Sequence, residues 1–411
     1  MRDLDIVLVG ATGFVGRLTA RHLAEHGEGA RIALAGRDAA KLEALTAQLP
    51  EVARGWERIT LDVSDAEAVA ALSARTAVVC TTVGPYEDYG KTLAAECAKA
   101  GTHYCDLTGE ITFVRWSLDT VGVAAQRSGA HIVHSCGFDS IPSDLGVYIT
   151  ARAAAEHGDG HLLATRAVAH RLRGGLSGGT LASMRGQFAA ASKDDEVARL
   201  LADPYALSPD RAAEPEPRPS RSLAQRVRRL ALPRFDGARG RWVAPFFMAP
   251  YNTRVVRWSN AASGWSYGRD FRYSEVHDTG RGLAGAATAA GITGVMGAMG
   301  VGLSLRPTRA LLDRVLPAPG EGPDEESMAR GRFAFDIEAV TTSGARYRTR
   351  LSDDRDPGYT GTAVMLGQSA LSLALDDLDA SPGVSTPSRA MGSHLADRLV
   401  ACGWSIETTR L

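Results

Sequence analysis

Residues 4–16 read Leu4-Asp-Ile-Val-Leu-Val-Gly10-Ala-Thr-Gly13-Phe-Val-Gly16. A short apolar run ends in three spaced glycines, and an amphipathic run opens at Phe14. A glycine triplet between a strand and a helix is the context that dinucleotide binding requires. Gly10 allows the tight turn, Gly13 lets the backbone approach a pyrophosphate, and Gly16 permits close helix–strand packing. The helix start offers free N–H groups and the positive end of a dipole to the phosphates. The cofactor turn is therefore assigned to Gly10, Thr12, Gly13, Phe14, Val15 and Gly16.

Outward from this turn, short apolar runs alternate with amphipathic ones. Ile6–Val9, Ile32–Ala35, Ile59–Leu61, Ala77–Thr81 and Ala130–His134 read as strands. Phe14–His26, Ala39–Leu49, Ala66–Leu72, Tyr89–Ala100 and Leu118–Arg127 read as helices. Such alternation predicts βαβ units and a doubly wound, Rossmann-like parallel sheet over residues 1–140.

Strand two runs into Ala35-Gly36-Arg37-Asp38. An acid at this point reads the ribose 2′-hydroxyl of NAD, whereas an arginine accommodates a 2′-phosphate. Arg37, with Lys41 one helical turn on, points to NADPH through charge-assisted hydrogen bonds. Asp38 leaves the ribose alternative open, because a shift of one residue would make it the contact. Asp62, at the end of strand three, is a candidate reader of the adenine or a cap for the next helix, as is Ser64. Ligands bind outside the carboxyl ends of parallel strands. Thr82, Gly84, Pro85 and Tyr86 after strand four are therefore expected along the ribose and nicotinamide.

Residues 141–411 change character and read as an α+β substrate domain. A helix at Ser143–His157 leads to an alternating run at Leu162–Leu172. Gly174-Gly-Leu-Ser-Gly-Gly179 follows, then a helix from Thr180 to about Leu201. The glycine loop offers either a cradle for an anion, such as a phosphopantetheine phosphate, or an interdomain hinge. Residues 204–235 carry six prolines and seven arginines, the composition of an exposed insertion. Residues 317–327 read as a second Pro/Gly/acidic linker. Arg332–Thr341 and Ala345–Leu351 alternate around Thr342-Ser-Gly344 and predict a hairpin. Arg346, Arg348 and Arg350 share one face of it, opposite Asp336 and Glu338. They are read as a solvated, cross-paired face, with phosphate contact as the alternative. Helices at Ala363–Leu375 and Pro387–Ala401 close the chain.

Lys+Arg and Asp+Glu nearly balance at 46 and 47, which argues against nucleic-acid binding as the main role. Five cysteines, an odd number without a CxxC, argue against a disulfide framework and a zinc ribbon and fit a reducing, cytoplasmic setting. No clustered His/Asp/Glu spacing suggests a metal. Glycine is in surplus, with 44 in 411 residues against a usual share of about 7%. Seven of them fall in Gly282–Leu305, a stretch of 24 residues with no charge. That stretch is long enough to span a bilayer but weakly apolar. It is expected as a buried, tightly packed segment, as a substrate-tunnel element for an acyl chain, or as a peripheral element at the inner face of the plasma membrane.

Further motifs carry a resemblance: Gly84-Pro-Tyr86, Gly101-Thr-His-Tyr-Cys-Asp-Leu-Thr-Gly-Glu110 and Cys136-Gly-Phe-Asp-Ser-Ile-Pro-Ser-Asp144. With the cofactor turn, they resemble the saccharopine dehydrogenase-like oxidoreductases. Gly174–Thr180 and Thr386-Pro-Ser-Arg-Ala-Met-Gly392 resemble one actinobacterial branch, the trans-acting enoyl reductases. The resemblance spans almost the whole chain. It implies NADPH-dependent reduction of a carbon–carbon double bond in a lipid-like acyl thioester, free or carrier-bound, in service of a polyketide synthase. A saccharopine-type amino-acid reductase and a non-catalytic NADP-binding lipid-surface protein are the alternatives.

Enoyl-thioester reduction needs a donor that polarises the carbonyl. Tyr86 is the first candidate, because a neutral phenol can donate a hydrogen bond. Packing beside the cofactor is its other reading. Asp106, Glu110, Cys136, Asp139 and Asp144 are candidates to face the cleft, each with a local structural role as the alternative. His134 could pair with Cys136.

Overall fold

The computed structural model describes residues 2–27, 29–173, 178–214, 233–304 and 323–411. Two seven-stranded sheets organise it. The strands of the first are β1 (Leu4–Val9), β2 (Ile32–Gly36), β3 (Glu57–Thr60), β4 (Thr76–Thr81), β5 (His103–Cys105), β6 (His131–Val133) and β13 (Gly383–Ser385). They run in the order β13-β6-β5-β4-β1-β2-β3, and every pairing is parallel. The order reverses between β1 and β4, which opens a crevice at their carboxyl ends.

The central strands are apolar on both sides because both faces of the sheet are covered. Ile6, Leu8, Leu34 and Val78 enter one core, whereas Val7, Val9, Ala33 and Val79 enter another. The helix Phe14–His26 spans the residues its periodicity predicts. The expected Tyr89–Ala100 helix starts earlier, at Tyr86, so that tyrosine sits in its first turn. The expected Leu118–Arg127 helix is instead two helices, Ile111–Thr120 and Gly122–Ser128. Strands β5 and β13 have only three residues each, too short for an alternation to reveal them.

Strand β13 and the helix Thr362–Leu375 bring the last part of the chain back to the first sheet. Residues 362–373 of that helix are all buried, and the helix packs against β1, β4, β5 and the helix Phe14–His26. A helix buried on every side, with polar side chains bonded internally, needs such a position between layers.

The second sheet comprises β7 (Leu162–Arg173), β8 (Arg234–Asp236), β9 (Arg241–Pro245), β10 (Arg272–Gly280), β11 (Arg332–Thr341), β12 (Arg346–Asp353) and β14 (Ser405–Arg410). Its order is β14-β12-β11-β7-β10-β9-β8. Only β7 and β10 pair in parallel. Phe333, Phe335 and Ile337 face the core, as the hairpin alternation predicts. On the outer face Asp336 opposes Arg350 and Glu338 opposes Arg348. Arg350 approaches Asp336 at 3.8 Å, but Glu338 pairs with Arg166 and Arg239 from β7 and the β8–β9 turn. The predicted helix from Thr180 is two, Gly178–Ala191 and Asp195–Ala202, the second capped by Asp194. Residues 174–177 of the glycine loop, most of the 204–235 insertion and the first part of the 317–327 linker lie outside the described residues.

Residues Gly282–Ser304 form one helix. Gly285, Ala289 and Thr293 are buried at a four-residue spacing, while Leu283 is 90% exposed and Val295 60% exposed. The stretch is thus packed along one stripe and open along another. Among the described residues no helix is long and apolar enough to cross a membrane.

His22 joins the first helix to the late one, with its Nε2 2.9 Å from Gln368 Nε2. Burial, chiefly, and the neighbouring His26 push its pKa down to about 3. The folded chain keeps His22 neutral while the unfolded chain protonates it below 6.5. Its contribution to stability is therefore full above that value and lost as pH falls toward 3. Between pH 7 and 5 the loss should be about 2 kcal/mol. Urea unfolding at both pH values checks this, with His22→Phe expected to flatten the dependence.

Candidate active site

A cavity of about 420 Å³ lies between the carboxyl edge of the first sheet and the inner face of the second. One end is the glycine turn. Gly10 adopts φ +82°, and Gly13 stands at the cap position of the first helix, so no side chain caps its N–H groups. A Cβ on Gly16 would lie 2.2 Å from the Gly10 carbonyl oxygen, so strand and helix touch through backbone alone. This turn fits a dinucleotide pyrophosphate, with Gly13, Phe14, Val15 and Gly16 in the cavity wall. Thr12 lies in the same turn. Thr82 braces it by donating its hydroxyl hydrogen to the Gly10 carbonyl.

Beyond the end of β2, the Asp38 carboxylate accepts the Lys41 N–H and caps the helix Ala39–Gln48. The Lys41 ammonium stands 3.8 Å from the same acid. Arg37, just before it, is exposed. Asp62 caps no helix: its Oδ1 accepts the N–H and hydroxyl of Ser64, and Asp65 caps the next helix. Those two bonds, and after them nearby Arg37, hold the Asp62 carboxyl below its ordinary value.

Gly84, Pro85 and Tyr86 continue the wall of the cavity, with a cis peptide before Pro85. The phenol of Tyr86 is engaged within the protein. Its hydroxyl donates to the Thr81 carbonyl at 3.3 Å and accepts the Leu107 N–H at 3.1 Å, and its ring stacks on Phe113. Burial, then Asp106, raises its pKa well above that of a free tyrosine.

Of the five acids and thiols expected near the cleft, Asp139 lines the cavity. Glu110 is buried behind it and accepts the N–H groups of Tyr86 and Glu87, capping their helix from a distance. It also accepts the hydroxyl of Ser183, from the helix that roofs the cavity. Burial raises the Glu110 carboxyl despite these bonds. Asp106 is fully buried and organises the loops after β5 and β6. Its carboxylate accepts the N–H groups of Thr108 and Ser135 at 3.0 Å and meets His134 Nδ1 at 2.7 Å. His134 therefore pairs with Asp106 and Ser117 rather than with Cys136. Burial pushes the Cys136 thiol well up, away from nucleophilic use. Asp144 lies elsewhere and ties three helices together through Ser259 and the Ser388 N–H.

Several cavity residues had no sequence signal. Leu172 turns inward because the pairing of β7 with β11 shifts register beyond His170. Phe246, Phe247, Met248, Met184 and Ile292 build an apolar wall from segments far apart in the chain. His277 joins them from β10, and burial lowers its pKa, so it is neutral near pH 7. The Tyr359 ring meets Phe14 edge-on at 5.0 Å. Ser135 lines the cavity with φ +68°. Among the described residues, no group of three or more metal-ligating side chains is assembled.

Fold and cleft together define an NADP-dependent oxidoreductase. Residues 6–132 match the saccharopine dehydrogenase NADP-binding domain. Saccharopine dehydrogenase (L-Glu forming) from Saccharomyces cerevisiae shares the fold, with a TM-score of 0.54 and 12% identity over 99% of this chain and 100% of that one. A Mycobacterium tuberculosis protein provisionally named a trans-acting enoyl reductase is 49% identical over 100% of this chain and 98% of its own. A Mycobacterium bovis trans-acting enoyl reductase is 46% identical, over 100% and 99%. The chain belongs to the trans-acting enoyl reductase family.

Gly16→Ala forces the helix off the strand at the turn. It should cost about 1–3 kcal/mol, as overpacking does. The expected outcome is a lower melting temperature together with at least about tenfold weaker NADPH binding in a fluorescence titration.

Proposed function

We propose that this protein reduces the double bond of an α,β-unsaturated acyl thioester with NADPH. The carrying observation is the cavity itself, which joins a dinucleotide turn to a predominantly apolar chamber. Its described lining contains no lysine or arginine. A saccharopine-type substrate carries several carboxylates and calls for cationic partners, so the lining favours an acyl chain over an amino acid.

When bound, NADPH supplies the hydride. The residues of the chain orient and enclose. Gly10, Gly13 and Gly16 let the backbone approach the pyrophosphate. Arg37, with Lys41 behind it, reads the 2′-phosphate, because Asp38 is already spent on its helix cap. Asp62 sits beside Arg37 at the adenosine end. Thr82, Gly84 and Pro85 flank the nicotinamide, and the Tyr86 ring supports that wall. The apolar side chains around Phe246 and Ile292 keep water from the acyl chain.

The substrate is read as carrier-bound, delivered by a polyketide synthase in lipid or glycolipid assembly. Peripheral contact with a membrane on the cytoplasmic side completes this reading. Its support is the charge-free helix Gly282–Ser304, which contributes Ile292 to the cavity and exposes Leu283 and Val295 outside it.

Purified protein should oxidise NADPH with enoyl thioesters of several chain lengths and show no turnover of saccharopine with NADP⁺. Saccharopine turnover without enoyl reduction would overturn the assignment, and NADPH binding with no turnover would favour a non-catalytic role. Arg37→Ala should weaken NADPH binding by about 1.5–3 kcal/mol, the scale of a charged hydrogen bond, and leave NADH binding nearly unchanged. Leu283→Glu should reduce co-sedimentation with anionic vesicles, while unchanged partition would count against the membrane contact.

A further inference from the structure

Ser135 is one of two non-glycine residues at positive φ among those described. An L-residue in the left-handed region costs about 1–2 kcal/mol, and such strain persists only where the surroundings over-determine it. The surroundings here are explicit. The Ser135 N–H donates to Asp106 Oδ1, and the next N–H, that of Cys136, donates to the Asp106 carbonyl at 2.7 Å. Asp106 is itself fixed by His134, which is held in turn by Ser117. The buried carboxylate thus imposes a conformation that the serine would not choose.

The strained turn places Ser135 in the cavity wall with its hydroxyl paired within the protein. Ser135 Oγ donates to the Thr108 carbonyl at 2.9 Å and lies 2.6 Å from the hydroxyl of buried Tyr251. The single Ser135 proton goes to Thr108, so Tyr251 is the donor in the second bond. The chain of bonds runs from Tyr251 through Ser135 to Thr108, and Ser135 and Thr108 both line the cavity. Strands β4, β5 and β6 are adjacent. Ser135 therefore stands about 10 Å along the sheet edge from the end of β4, two strand spacings away. That span accommodates a nicotinamide ring and a conjugated substrate side by side. The Tyr86 hydroxyl, also bonded within the protein, sits at Thr81, the end of β4 itself, and so on the nicotinamide side of that span.

We propose that Ser135 is the hydrogen-bond donor to the substrate carbonyl oxygen, with Tyr251 as the positioning residue behind it. This rests on the enoyl-thioester reading. Ser135 exchanges the Thr108 carbonyl for the thioester oxygen by turning its hydroxyl hydrogen about the Cβ–Oγ bond, which leaves Oγ in place. As the β-carbon gains hydride from NADPH, the π pair of the double bond moves toward that oxygen and an enolate forms. Ser135 stabilises the new negative charge, and the Tyr251 hydroxyl, still donating to Ser135 Oγ, strengthens it as a donor. The enolate electron pair then takes a proton from solvent at the α-carbon, which leaves the saturated thioester and NADP⁺.

Ser135→Gly separates chemistry from folding, because glycine accepts positive φ without strain. The variant should fold cooperatively and bind NADPH equally well, the relief of strain offsetting the loss of the two buried hydroxyl bonds. Its kcat should fall about 10²–10³-fold, the cost of losing an oxyanion donor, with KM within about threefold. Tyr251→Phe should lower kcat by a smaller factor, and the double variant should be no slower than Ser135→Gly alone, as for residues acting in series. A Ser135→Gly enzyme that turns over at the wild-type rate would refute the role of Ser135. Additive losses in the double variant would refute that of Tyr251. Failure of wild-type enzyme on every enoyl thioester would instead defeat the reaction assignment on which the proposal stands.

Discussion

The cleft depends on one buried carboxylate. Asp106 leaves the end of β5 and accepts bonds from the loop that follows its own strand and from the loop that follows β6. Unpaired, such a charge in the interior would be costly, so the surrounding donors are required as much as they are useful. His134 supplies one and ties the node to Ser117 on the helix Ile111–Thr120. Two strand-end loops are thereby locked at the mouth of the crevice. One holds Thr108, and the other holds Ser135 in its strained turn. Through the hydroxyl of Tyr251 the same node reaches the helix Ala249–Ala262 beneath the second sheet.

The cavity belongs to neither sheet alone. The first contributes the glycine turn and the strand-end loops, while the second contributes the apolar wall. The helix Thr362–Leu375 and strand β13 return to the first sheet after the second is nearly complete. This return ties the two halves of the chamber to a common core and gives the apolar chamber a fixed position relative to the cofactor turn.

Polar side chains near the cofactor end divide between local and ligand-directed work. Asp38 and Asp65 cap helices, which satisfies N–H groups that would otherwise lack partners. Glu110 performs the same task for the helix starting at Tyr86, from 24 residues away. Sequence distance hides such a cap. The arginines of β12 show the converse: their opposite strand partners are as the alternation predicts, but the ion pairs around Glu338 are drawn from β7 and the β8–β9 turn.

What the sequence determined by itself is local. The glycine triplet, the βαβ alternation of the first 135 residues and the Thr342-Ser-Gly344 hairpin are read from neighbours a few positions apart, because dihedral preference and periodicity act at that range. The resemblance to the reductase family was carried by equally short motifs. Tertiary structure decided the three-residue strands β5 and β13, the inward turn of Leu172 and the gathering of His277, Ile292 and Tyr359 around one chamber. It also decided that the Tyr86 hydroxyl is held by Thr81 and Leu107 and that Ser135 joins the cavity wall at positive φ. These outcomes depend on which distant groups compete for the same hydrogen bonds and the same buried volume, and that competition exists only once the chain is folded.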